Sequence, residues 1–129
     1  MENKRLFKLY KIEYSKIKNT DIEHEIDNII EELTKKGYKL LNISTRRVGM
    51  SPAYVVFDLM FDYLGEKLKS VRRVKVDLIT LRHKLTDVEE IVNKTIKDLE
   101  DNNCKIVGMN SESIGTSPIY NIYLTIYEC

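Results

Sequence analysis

The chain has 129 residues, enough for one ordinary domain or for two very small ones sharing a core. Its 21 basic and 20 acidic side chains leave a net charge of +1, which excludes a global electrostatic attraction to nucleic acid or membrane. Hydrophobic residues at 43% and charged residues at 32% describe a globular protein, and no apolar run is long enough to span a bilayer.

Taken in chain order, the first element is a strand with alternation at Lys8, Tyr10, Ile12 and Tyr14. The N-terminal stretch MENKRLFKLYKIEY is charged and lacks the apolar core of a secretion signal, so a cytoplasmic location is expected. Thr20-Asp21-Ile22-Glu23 follows as a capping box opening a helix. Ile22, Ile26, Ile29, Ile30 and Leu33 form its buried stripe, and Lys36-Gly37 ends it. Strands are predicted over Tyr38–Arg47 and Tyr54–Tyr63, joined by Gly49-Met50-Ser51-Pro52. Asp62–Ser70 reads as a polar linker with Gly65 as its pivot.

The same series then repeats. Val74, Val76 and Leu78 mark a strand, and Thr86-Asp87-Val88-Glu89 a second capping box. Val88, Ile91, Val92, Ile96 and Leu99 form a second helical stripe, ended by Asn102-Asn103. Cys104–Ser113 and Ile119–Tyr127 are strands joined by Gly115-Thr116-Ser117-Pro118. A shift of 66 residues superposes residues 20–63 on 86–129 without a gap, with ten identities in 44 pairs. The expected fold is therefore α+β: two tandem β-α-β-β repeats, residues 1–63 and 64–129, related by a pseudo-twofold, each antiparallel sheet covered by one helix. Phe57, Phe61, Tyr123 and Tyr127 are too apolar for a solvated face, so contact through a second face of the sheet is also expected.

The strand–helix–strand–strand order with the ending IYNIYLTIYE resembles the dodecin topology, in which a three-stranded sheet wraps one helix and copies assemble into hollow shells. Dodecins stack a flavin on a Trp; this chain has no Trp, so the resemblance implies no flavin and no cofactor is expected. Residues 85–128, with V-E-E-x-V-N helical spacing and the strand CKIVGMNSES, also resemble a family of small sigma-E-controlled sporulation proteins of Firmicutes. That resemblance implies no catalytic residues.

His24 and His83 are isolated among charged neighbours, and a metal site needs several converging ligands, so no metal is expected. Cys104 and Cys129 read as two free thiols of a reducing compartment. Ser51 and Ser117 lie in G-x-S-P, which is a hairpin and not a nucleophile elbow; no catalytic residue is assigned and an enzyme is not expected. The leading expectation is a non-catalytic assembly or binding module that forms homo-oligomers and has a possible protein partner. The alternative is a small-ligand site, for an anionic or nucleotide-like signal, with Arg46 and Arg47 as a cationic wall and Ser51, Tyr54, Ser117 and Tyr120 as hydrogen-bonding groups. Such a protein would sequester its ligand, as one encoded by a phage could. Single-stranded nucleic-acid binding, through Tyr interleaved with Lys and Arg, is a further alternative.

Overall fold

A computed structural model describes residues 4–50, 52–65, 71–80, 84–114 and 120–129, the side chain of Ile114 excepted. Within them the chain runs β1 (Arg5–Glu13), a short 3-10 turn (Tyr14–Lys16), α1 (Asn19–Lys35), β2 (Tyr38–Val48), β3 (Tyr54–Tyr63), β4 (Arg72–Thr80), α2 (Leu85–Asp101), β5 (Lys105–Ile114) and β6 (Tyr120–Glu128). Two antiparallel three-stranded sheets result, ordered β1-β3-β2 (sheet A) and β4-β6-β5 (sheet B). The mixed α+β fold of two similar units follows the duplication. Both units carry the same irregularity: the register slips between Leu40 and Asn42 in β2, and between Ile106 and Gly108 in β5.

The helix ends are as expected, with Gly37 at φ 92° and Asn103 at φ 62° closing the last turns in left-handed geometry. The helix starts are not. Lys18 and Lys84 occupy the cap positions, so Thr20 and Thr86 lie inside their helices and make no capping box. In α2 it is Asp87 that accepts from the Lys84 N–H, at 3.1 Å. Glu23 is thereby released for another task.

That task is long-range. Glu23 Oε1 accepts from the backbone N–H of Val76 at 2.8 Å, and Asp27 Oδ1 from that of Val74 at 2.9 Å. Helix α1 thus runs along the open edge of β4, in the other unit, and satisfies amides that no strand reaches. The closure continues between β2 and β5. Asn110 donates its side-chain N–H to the Ile43 carbonyl and accepts from Thr45 Oγ1. Inside lies one core, with Ile22, Ile26 and Ile30 of α1 between Phe57, Leu59 and Phe61 of sheet A and Val74, Val76, Ile122, Leu124 and Ile126 of sheet B.

Sheet B is covered on both faces, as the aromatic residues of its strands implied. One face meets α1 and sheet A. On the other, Tyr127 packs with Leu99, Cys104 and Ile106, and Thr95 Oγ1 of α2 donates to Asp77 at 2.9 Å. Among the described residues sheet A has a helix on one face only, and Phe57 and Phe61 lie on that face with α1, not on a second one. The two units therefore meet through unlike surfaces, and the twofold expected from the duplication does not extend to the helices: α1 packs closely along β4, whereas α2 makes no comparable contact with β1.

The expectation of free thiols is also corrected. Lys105 pairs with Glu128, so Cys104 and Cys129 are brought together at the ends of adjacent strands and form a disulfide. The thiols no longer support the cytoplasmic expectation. Among the described residues, no helix is long and apolar enough to cross a membrane.

Candidate functional site

Of the six residues singled out from the sequence, the four that are described, Arg46, Arg47, Tyr54 and Tyr120, do not form one cluster. Ser51 and Ser117 lie outside the described residues. Arg46 and Arg47 are successive residues of β2 and point to opposite faces of sheet A. Arg46 is engaged by Asp58 of β3, Nε to Oδ2 at 2.7 Å, and this pairing holds its guanidinium firmly protonated. Tyr54 shares that outer face and lies under Lys11 Nζ, 5.0 Å from its ring centroid. Tyr120 belongs instead to the junction of the units, tilted against Tyr14 at 6.1 Å. Burial raises the Tyr14 hydroxyl above its ordinary pKa, Tyr120 adds to the rise, and the charge of Arg47 opposes it. The structure therefore brings Arg47 toward Tyr14 and Tyr120, and Arg46 toward Asp58 and Tyr54, as two separate groups.

What the alternation in β1 concealed is the outer face of sheet A. The alternation at Lys8, Tyr10 and Ile12 identified the strand, and Tyr10 does stack on Phe57 at 6.0 Å, toward the core. On the opposite side, however, Phe7 pairs with Met60, Leu9 with Asp58 and Lys11 with Val56 across β1 and β3. Phe7 is 50% exposed, Leu9 52% and Met60 36%. Phe7 and Met60, with Asn42, Ser44 and the Arg46–Asp58 pair, line a shallow depression of about 340 Å³. The missed signal was present: RLFKLYKIE is apolar in both phases of its alternation, so both faces of the strand need a neighbour.

The edge beside this face is open as well. The Tyr63 N–H donates to the Lys4 carbonyl at 2.7 Å and the Tyr14 N–H to the Ala53 carbonyl at 2.8 Å. These bonds mark the even-numbered residues of β1 as those joined to β3. The amides of Phe7 and Leu9 therefore point outward, and β1 is an edge strand. Its Lys8 and Lys11 are the usual guard against indiscriminate strand addition.

Asp27, at the α1–β4 contact, carries the largest electrostatic departure. Burial raises its pKa from 3.8 to about 6, against the opposing effects of the Val74 N–H and the nearby Arg73 charge. The folded state thus favours the protonated carboxyl. The stability it contributes is full below pH 3.8, and it is lost as pH climbs through about 6. Asp27→Asn keeps an acceptor for Val74 without the buried charge. It is expected to raise stability at pH 7.5 by about 1 kcal/mol and to flatten the stability profile between pH 4 and 6, as urea denaturation across that range would measure.

No family model matches the chain, and neither a curated protein nor a solved structure gives a match.

Proposed function

We propose that this chain is a non-catalytic assembly module that acts by associating with further copies of itself. The observation that carries the reading is the unequal cover of the two sheets. Val74 and Val76 of β4 are 1% and 2% exposed, whereas Phe7 and Leu9, in the corresponding strand of the first unit, are about half exposed. An apolar sheet face beside an open edge is a contact surface awaiting a partner. A duplicated chain carries surfaces already shaped to meet one another. The non-catalytic part of the reading rests on the sequence alone, in which the two G-x-S-P serines read as turn residues and not as a nucleophile elbow.

Light scattering coupled to size exclusion tests this. The mass of the native protein is expected to rise with concentration above the 15.2 kDa of one chain. Leu9→Glu is expected to abolish the rise while changing monomer stability by no more than about 0.5 kcal/mol, because the side chain is already half in water. A native protein that stays monomeric at every concentration would overturn the reading.

A further inference from the structure

The internal contact between the units shows how copies join. Residues of α1 and sheet A that receive sheet B have counterparts in α2 and sheet B under the shift of 66 residues. Ile22, Ile26, Ile30, Ile43 and Phe57, all at 0–1% exposure, correspond to Val88, Val92, Ile96, Met109 and Tyr123. In the first unit those side chains lie in the closed core under β4 and β6. In the second unit the same five positions, with Leu85, Glu89 and Asn93, line an open groove of about 470 Å³. The groove is the first unit's core with its lid absent.

The acceptors recur with it. Glu23 and Asp27, which bind the edge amides of β4, correspond to Glu89 and Asn93. Both are exposed and bond to nothing among the described residues. Each retains a side-chain oxygen that can accept from an N–H. The lid's counterpart is equally clear. Leu59 pairs with Lys8, and its counterpart Thr125 pairs with Lys75, so β1 and β4 correspond with one residue more of separation than the rest of the repeat. Phe7 is thus the equivalent of Val74 and Leu9 of Val76, and these are the two β1 residues whose amides point outward.

We infer that the outer face of sheet A and the β1 edge of one copy seat in the α2 groove of the next. Glu89 and Asn93 accept from the amides of Leu9 and Phe7 there, as Glu23 and Asp27 accept from those of Val76 and Val74 within the chain. This inference rests on the self-association proposed above and specifies its geometry. The contact is head-to-tail, so it leaves one free groove and one free edge on every open chain of copies, and growth stops only where a ring closes. It is also weaker than the internal contact. Asp58, paired with Arg46, stands where the internal interface has the fully buried Leu124, and that ion pair must be desolvated on docking. Association is therefore reversible.

The test uses two full-length variants. Leu9→Glu spoils the edge and leaves the groove; Glu89→Lys with Asn93→Lys puts donors where acceptors are needed and leaves the edge. Sedimentation velocity should find each variant at 15.2 kDa alone and an equimolar mixture at twice that mass, because each supplies the surface the other lacks. A second pair, Phe7→Lys and Leu85→Glu, alters only exposed side chains and should recombine in the same way should either first variant lose its circular dichroism. If the groove variant associates as the native protein does, or if two monomeric, folded variants fail to recombine, the head-to-tail geometry is wrong although self-association stands. A monomeric native protein would remove both.

Discussion

Ile26→Ala is expected to destabilise the monomer by about 2–5 kcal/mol, whereas Val92→Ala, at the equivalent position of the second helix, should cost about 1 kcal/mol. Ile26 is completely buried between the two sheets, and its truncation leaves a hole that neither can close. Val92 is also buried, yet its side chain lines the α2 groove, so water replaces what is removed. The smaller loss of volume in Val→Ala adds to the difference. Urea denaturation at concentrations where the protein is monomeric measures both. Equal costs would mean that the two helices are equally enclosed, contrary to the one-sided packing described above.

The double substitution Glu23→Ala with Asp27→Ala should cost about 2–4 kcal/mol, through two β4 amides left without their acceptors. The Lys75–Glu23 ion pair, at 4.0 Å and with the Lys75 side chain 46% exposed, contributes little to this. Glu23→Gln with Asp27→Asn is the informative control: it keeps both acceptor oxygens and should remain within about 1 kcal/mol of the native protein. Hydrogen exchange at Val74 and Val76 would accelerate in the alanine variant and not in the amide variant. Unchanged exchange in the alanine variant would show that burial under α1, and not the carboxylates, protects that edge.

Much of the local structure was legible from residue patterns. The two helical stripes, the antiparallel strand pairs and the left-handed closures at Gly37 and Asn103 depend on chemistry within a few residues, and the structure contains them together with the two similar units of the duplication. The second buried face of sheet B was also legible, because Tyr123 and Tyr127 alternate with Ile122, Leu124 and Ile126. What was not legible depends on which edge meets which helix. Glu23 has the spacing of a capping partner to Thr20, and only the placement of β4 shows that it serves a strand in the other unit. The correspondence of β1 with β4 lies outside the gapless match of residues 20–63 for a similar reason: the first repeat is longer by one residue before its helix, which reverses the face of every side chain in the strand. The cysteines were judged by compartment, while their pairing follows from strand register.

Cover of the β1 edge by another copy is reported directly by the exchange rates of the Phe7 and Leu9 amides. Measured residue by residue in dilute and in concentrated samples, they are expected to exchange freely in the first and slowly in the second, while Val74 and Val76 stay protected throughout. Fast exchange of Phe7 and Leu9 at every concentration, beside a protected β4 edge, would contradict that cover.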